Sequence, residues 1–285
     1  MSSSSSSVQQ SRRVLGARLR EIRTDAGLTA RELGRLMGRH GSKISRIEHG
    51  HAVPSAADVR VWCHHCAAPD QVSELLASLR AIEGMFVEWR RLERSGLRVE
   101  NQSRIPLWER TRRFRIYSSF VVPGPVQTEA YIRAVLTQIM IRRQLPDDVE
   151  ATVRVRVDKQ HVVYEGDHRF AILVEESVLR SPIGGADTMA GQLGHLLVAS
   201  GLPSVSLGII PLDADRSAMW PIEAFWMFDD EQVSVELVSG YLTITQPSEI
   251  AMYADVFAAL AKQAVYGAQA RALIASAIKA LDAER

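Results

Sequence analysis

The side chains best suited to chemistry in this sequence belong to Ser42, Lys43 and Arg46, which lie close together in the chain. On a helix they lie on the face opposite Ile44 and Ile47. Their hydroxyl, ammonium and guanidinium groups donate hydrogen bonds, and an arginine bound to both O6 and N7 of guanine discriminates by about 1–3 kcal/mol. We therefore predict that these three residues read base edges in the major groove of DNA, with Arg46 reading guanine.

A second group of polar side chains flanks the first and is predicted to contact DNA phosphates. Hydroxyl, imidazole and guanidinium groups bind backbone oxygens, and such contacts set the register of a protein on the duplex. The group consists of Thr29, Arg31, Arg39, His40 and Ser45.

Two short helices joined by a tight turn are needed to hold these residues, and local signals predict both. Thr29 and Glu32 have the spacing of a capping box, which begins the first helix. Gly34 allows a second helix to cross closely, and Gly38 ends the first helix at the turn. These features are typical of a helix-turn-helix. The inward face of the first helix is predicted to carry Leu33, Leu36 and Met37.

The surrounding segments predict a bundle of five helices that contains the helix-turn-helix. Ser55 and Asp58 have the spacing of another capping box, and Asp70 is predicted to cap a helix from Val72 to Trp89. The predicted organisation is a disordered tail at 1–10, a helical domain at 11–93, a linker at 94–104 and a second domain at 105–285.

The segment Ile44–Gly50, which reads ISRIEHG and is followed by Pro54, resembles the Xre-type (Cro/C1-like) DNA-binding domain. The resemblance extends over roughly residues 12–66. It implies a transcription regulator that binds an operator in double-stranded DNA. Because one such module covers few base pairs, we expect a homodimer on paired half-sites.

Charge is divided unevenly along the 285 residues. Residues 1–116 contain 21 Lys and Arg against 12 Asp and Glu, a net charge of +9, and the remainder contains 13 against 21, a net charge of −8. A basic first half is expected where only that half faces phosphate.

The sequence has no apolar run near the ~20 residues of a membrane span and no signal-peptide pattern. We expect a cytoplasmic protein that contacts no membrane and associates with the nucleoid when bound to DNA.

Both cysteines fall in the segment Cys63-His64-His65-Cys66. A Cys-x-x-Cys pair can begin a zinc site or a redox site, but a structural zinc site needs four ligands and no second pair follows. On a helix Cys63 and Cys66 share one face, where a cysteine packs as a small apolar residue. We favour a packing role for the cysteines over a zinc site or a redox site, and we expect neither a metal nor a cofactor.

Beyond residue 105 the sequence alternates between helical and strand-like segments, which predicts a mixed α+β domain. The whole chain is therefore predicted to be multi-domain, with an all-α helix-turn-helix bundle at the N-terminus. Helices are predicted at 126–141, at 147–161, after an N-cap at Asp187, and from about 248 and 268. Strands are predicted at 114–117, 170–174, 205–210, 225–228, 233–237 and 242–245.

The second domain resembles the C-terminal domain of WhiJ-like, antitoxin-like regulators. The resemblance is carried by three segments, Val121–Leu136, Phe170–Gly185 and Gln192–Leu212. It implies a transcription regulator whose gene often neighbours that of a small partner protein. It further implies that this domain binds the partner or a small-molecule effector, or dimerises the chain.

A candidate ligand or partner site is predicted around Glu175 and Glu176, at the end of an apolar strand, and Gly184 and Gly185 in the following loop. Carboxylates at a strand end can bind a cation or act as a base, and glycines let backbone approach a bound group. The glutamates can equally cap the next helix or pair with Arg180, and we favour the cap.

The sequence lacks the motifs of common enzymes. It contains no G-x-S-x-G, H-E-x-x-H, P-loop or G-x-G-x-x-G pattern. We therefore expect a DNA-binding regulator with a sensing, partner-binding and dimerising second domain, and no enzyme. The alternative is an antitoxin-like protein that sequesters a small partner and regulates its own operon.

Overall fold

Five α-helices form the N-terminal bundle, as the apolar periodicity predicts. The computed structural model describes residues 4–88 and 96–283, and residues 1–3, 89–95 and 284–285 lie outside it. The helices of the bundle are α1 (Ser4–Asp25), α2 (Ala30–Leu36), α3 (Gly41–Glu48), α4 (Ala56–His65) and α5 (Val72–Met85).

Fully buried apolar side chains from four of these helices form the core of the bundle. Leu19 of α1, Leu33 of α2, Ile44 and Ile47 of α3 and Trp62 of α4 are all at most 1% exposed. The Trp62 indole also donates a hydrogen bond of 3.0 Å to the Leu19 carbonyl, so its one polar atom is satisfied inside the core. Burial of these side chains is the main favourable contribution to the fold of the bundle.

Three local expectations for this bundle were wrong. Helix α1 begins at Ser4, inside the predicted tail, and the Gln9 amide anchors it through a 3.1 Å hydrogen bond to the Gly50 carbonyl. Asp70 lies in the 3₁₀ turn Pro69–Gln71 and does not cap α5. The helix predicted to reach Trp89 ends at Met85, because the apolar run that follows fits a strand as well as a helix. Trp89 itself lies outside the described residues.

The C-terminal domain is a mixed α+β fold, which confirms the predicted fold class. Its helices are α6 (Leu97–Ser103), α7 (Ile105–Arg110), α8 (Glu129–Arg143), α9 (Val149–Lys159), α10 (His161–Tyr164), α11 (Glu176–Leu179), α12 (Ala186–Ala199), α13 (Pro247–Ala261) and α14 (Gly267–Ala283). The strands of the chain are β1 (Phe86–Glu88), β2 (Arg113–Ser118), β3 (Arg169–Glu175), β4 (Val205–Ile210), β5 (Phe225–Phe228), β6 (Gln232–Glu236) and β7 (Gly240–Ile244).

A mixed sheet forms the centre of this domain, with strand order β7-β6-β5-β2-β3-β4. Strand β3 pairs in parallel with both β2 and β4, whereas β5 pairs antiparallel with β2 and with β6. Ile172 and Val174 on one face of β3 and Leu173 on the other are all buried, as expected for a central parallel strand with both faces covered. Every helix in the described part of the chain is too short or too polar to cross a lipid bilayer.

The chain divides into two compact units, and the predicted linker falls near their boundary. One unit contains Met1–Val87 with Tyr241–Thr243, and the other contains Glu88–Gly240 with Ile244–Arg285. Residues 94 and 95 of the predicted linker lie outside the described residues.

Most of the predicted linker is folded rather than extended. Residues 97–103 form α6, although the segment is mostly polar. The helix is held by the apolar side chain of Leu97, which is buried. Leu97 packs on Ile132, Leu136, Val149 and Val153 of the C-terminal domain.

The cap predicted at Asp187 was also wrong. Helix α12 starts after Gly185, and Asp187 lies in its first turn, where a carboxylate favours the helix dipole.

Candidate nucleic-acid interface

The first helix of the helix-turn-helix begins at the predicted capping box. The Thr29 hydroxyl accepts a 3.2 Å hydrogen bond from the Glu32 backbone, and the Glu32 carboxylate accepts one of 2.7 Å from the Thr29 backbone. These bonds hold the pKa of Glu32 below its usual value. Thr29 and Arg31 are exposed at this end of α2. Leu36 is 44% exposed, against prediction, because Leu33 and Gly34 occupy the inward face of this short helix.

A close backbone approach fixes the crossing of α2 and α3. Gly38, with a φ of +64°, ends α2, and the chain then turns so that Gly41 packs on Gly34. A Cβ atom on Gly34 would lie 2.9 Å from the Arg39 carbonyl oxygen and 3.0 Å from the Gly41 nitrogen. These neighbours are backbone atoms, so they cannot yield without moving α3.

Replacing Gly34 by alanine is therefore expected to destabilise the bundle by about 1–3 kcal/mol, the usual cost of overpacking. Thermal unfolding of the full chain measures the effect. Gly191→Ala is the matched control, because Gly191 lies in a helix with no atom within 4 Å of the added Cβ. That control should keep or raise the melting temperature, since alanine favours helix more than glycine does. Equal melting temperatures for the two variants would show that the crossing tolerates a methyl group.

The side chain of His40 serves as the N-cap of α3. His40 Nδ1 accepts a 3.3 Å hydrogen bond from the Ser42 backbone and lies 2.8 Å from Ser42 Oγ. The sequence predicts a phosphate contact for His40 but not the cap, since histidine is not among the common N-cap residues. Ser42 and His40 are exposed, and Ser45 is half-buried with its carbonyl 2.7 Å from Nδ1 of His49.

One acidic residue of α4 holds two of the predicted DNA-contacting side chains. Asp58 accepts a 3.1 Å hydrogen bond from the Lys43 ammonium, and Arg39 Nε lies 3.5 Å from the other carboxylate oxygen. The same carboxylate completes the capping box with Ser55. Burial opposes ionisation of Asp58, but the hydrogen bonds from Ser55 and Lys43 keep its pKa below the usual value. Lys43 is therefore held in a defined position at the edge of α3.

Arg46 projects from the outward face of α3. Its side chain is exposed, and within residues 4–88 and 96–283 no carboxylate lies within ion-pair distance of its guanidinium. It is therefore available to a ligand. Thr29, Arg31, Arg39, His40, Ser42, Lys43, Ser45 and Arg46 all lie between the start of α2 and the end of α3, and their roles toward DNA stay predictions.

A buried ion pair that was not predicted from the sequence docks α3 on α1. Arg23 and Glu48 are 8% and 6% exposed, and the guanidinium binds the carboxylate through Nε at 2.5 Å and Nη2 at 3.0 Å. Arg23 also donates to the Leu28 carbonyl. Gly16 adds a second contact, because a Cβ atom there would lie 2.4 Å from the Ile47 carbonyl oxygen. The signal available in the sequence was a charged residue, Glu48, one position after the inward-facing Ile47.

Glu175, one of the residues in the predicted ligand site of the C-terminal domain, belongs to a buried network. The Tyr117 hydroxyl donates to Glu175 at 2.8 Å, and Arg216 donates to its other oxygen at 2.5 Å. Arg216 also donates to Gln263. Burial, with the Glu175 contact, raises the pKa of Tyr117 well above its usual value. The partners of Glu175 are therefore supplied by the protein.

Glu176 is likewise occupied, and the preferred capping role was wrong. Glu176 binds Arg180 at 2.6 Å and accepts a 3.1 Å hydrogen bond from the Leu212 backbone, whereas α11 has no side-chain cap. The alternative of pairing with Arg180 is confirmed, because Arg180 lies four residues later on the chain and its guanidinium reaches the buried carboxylate.

The glycines of the predicted ligand site lie in a different environment from the glutamates. Gly184 approaches Ala134 and Thr188 and lines a shallow depression on α8 that contains neither Glu175 nor Glu176. Gly185 precedes α12 as its N-cap. Among the described residues, no contact joins the glutamates and the glycines into one site.

Both cysteines are buried free thiols in the helical bundle. Burial raises the pKa of Cys66 to about 11 and raises that of Cys63 as well. A thiol with a raised pKa is a poor nucleophile, which fits a packing role. His195 in the other domain is half-buried, and burial lowers its pKa.

Comparison with known families matches both units. A helix-turn-helix domain model matches residues 14–76, and a model of a domain of unknown function, DUF5753, matches residues 108–276. The chain belongs to the DUF5753 family. No curated protein and no solved structure matches it.

The two matches divide the functional residues between them. The helix-turn-helix match contains all eight residues predicted to contact DNA, and it supports a DNA-binding regulator. The DUF5753 match contains the Glu175 network and the sheet, for which the family description gives no function.

Proposed function

We propose that this chain is a sequence-specific transcription regulator of the Xre (Cro/C1-like) type that acts on DNA without catalysing a reaction. The observation that carries the proposal is that α3 is fixed on the bundle by one face and exposes polar side chains on the other. Its inward face is fixed by Ile44, Ile47 and the Arg23–Glu48 pair, while Ser42 and Arg46 face outward and are exposed. A rigidly docked helix with exposed polar side chains on one face is what major-groove reading requires.

The proposal extends to the DUF5753 domain, which we infer to be of the WhiJ-like, antitoxin-like kind. A dimerising segment alone needs far fewer residues than this domain contains, since a single coiled coil suffices. We propose that the domain supports a homodimer and binds a ligand or a partner protein that changes the affinity for DNA. Such an effector must bind the DNA-competent and incompetent states with different affinities.

The regulator is expected to protect two half-sites about 34 Å apart, as dimeric helix-turn-helix proteins do. Footprinting of the full chain on duplexes that it captures from its source genome measures the spacing. Light scattering at micromolar concentration gives the oligomeric state of the same sample. A monomer that protects a single half-site would contradict the dimer, and failure to capture any preferred duplex would contradict sequence-specific binding.

A further inference from the structure

A lysine without a counter-ion lies inside the DUF5753 domain. Lys159, the last residue of α9, is 7% exposed, and its ammonium lies 4.2 Å from the centre of the Trp108 ring. In the described part of the chain it has no ion pair and no hydrogen-bond acceptor besides this aromatic face. Buried lysines are normally paired, because an isolated ammonium loses its hydration.

A second cation lies beside Lys159 on the same helix. Arg156 precedes it by three residues, a spacing that brings two side chains together on a helical surface. Arg156 Nε donates to Asn101 Oδ1 at 2.9 Å, and residues 4–88 and 96–283 supply no acceptor for its terminal nitrogens. Arg156 is half-buried, so part of its side chain keeps contact with solvent.

The carboxylate nearest to these cations is already occupied. Glu100 is 7% exposed, and its two oxygens accept hydrogen bonds from Arg104 and from the Asn101 amide. Arg104 adds a third positive charge, and Arg143 with its partner Glu236 adds a fourth cation and a second carboxylate that act on Arg156. Among the described residues, four cations therefore stand against two carboxylates, and both carboxylates are paired with arginines. Burial, followed by the charges of Arg156 and Arg104, lowers the pKa of Lys159 to about 7. A positive cluster of this kind attracts an anion.

We propose that Arg156 and Lys159 form a binding site for a small oxyanion, a carboxylate or phosphate group, in the DUF5753 domain. Arginine offers a planar fork of donors and lysine a compact charge, which is the donor combination used for such groups. Trp108, which packs on Phe114 and Trp226, supplies an apolar wall beside the charged group. A small oxyanion would be the ligand class of the sensing role proposed above. The oxyanion site depends on that proposed role only for its effect on DNA binding.

The test measures the melting temperature of the full chain in inorganic phosphate and in acetate, each matched in ionic strength by potassium chloride. Oxyanion binding is expected to raise the melting temperature of the wild type and of Lys279→Met, which alters an exposed lysine. Lys159→Met and Arg156→Gln are expected to bind about tenfold more weakly or worse, the loss of one charge-assisted hydrogen bond. A response to one anion only identifies whether phosphate or carboxylate is preferred.

Equal responses of the wild type and Lys159→Met would overturn the site, and so would the absence of any response to either anion. Lys159→Met removes a buried charge, so it is expected to fold in anion-free buffer and keep the comparison valid. Because no DNA is present, failure of this experiment leaves the DNA-binding proposal standing. Loss of DNA binding with an intact oxyanion response would contradict the DNA-binding proposal and leave the oxyanion site standing.

Discussion

Replacing Glu48 by alanine is expected to lower the free energy of unfolding of the helical bundle by about 3–5 kcal/mol. The substitution leaves the Arg23 guanidinium buried without its carboxylate, and an uncompensated buried charge carries a penalty of this size. Since whole domains are stable by only ~5–15 kcal/mol, this loss threatens folding of the bundle. Hydrogen exchange of the full chain, read on peptides from α1 and α3, measures the change in the unit where it arises.

Glu21→Ala is the matched control for this prediction. It also removes the carboxylate of an arginine, but Arg18 and Glu21 form an exposed pair on α1 that solvent already screens. A much smaller change in exchange protection is expected. Similar losses for Glu21→Ala and Glu48→Ala would mean that burial of the Arg23–Glu48 pair contributes little to docking α3.

Lys159 is expected to make the stability of the C-terminal domain depend on pH in the absence of an oxyanion. Its pKa is about 7 in the folded chain and 10.5 as the ordinary value. For a lysine with a lowered folded-state pKa, the unfolded chain binds more protons between these values, so stability rises with pH across that window. The loss of stability caused by burying the charged Lys159 ammonium is fully present below pH 7 and absent above pH 10.5.

The comparison with Lys159→Met isolates this effect from other titrating groups. The stability advantage of the variant over the wild type is expected to fall by about 1.4 kcal/mol per pH unit above pH 7, and by up to about 5 kcal/mol in all. Denaturant unfolding at several pH values measures it, and Lys279→Met should show a difference from wild type that does not change with pH. A constant difference for Lys159→Met would mean that Lys159 keeps an ordinary pKa.

Features that depend on near neighbours in the chain were predictable. The capping boxes at Thr29 and Ser55 join residues three apart, and both are present. Strand β3 follows from its apolar, β-branched composition. Gly34 was identifiable because two helices in a tight turn need a small residue where they cross.

Features that depend on distant parts of the chain were not predictable. Arg23 and Glu48 are 25 positions apart, and Lys43 meets Asp58 across 15. Charged residues are usually exposed, so a sequence gives no sign that one of them is buried. Its burial becomes evident only in the fold, which brings its partner near. Lys159 is the clearest case, because only the placement of α9 beside Trp108 removes it from solvent.

The most direct test of sequence-specific DNA binding by α3 is the affinity of Arg46→Ala for its preferred duplex and for a scrambled one. The full wild-type chain first selects the preferred duplex from a randomised pool. Arg46→Ala is expected to lose about 5–150-fold on that duplex, equivalent to ~1–3 kcal/mol of base discrimination, and little on the scrambled one. Arg31→Ala, a predicted phosphate contact, should lose equally on both. Equal losses on both duplexes for Arg46→Ala would contradict the assignment of Arg46 to base reading.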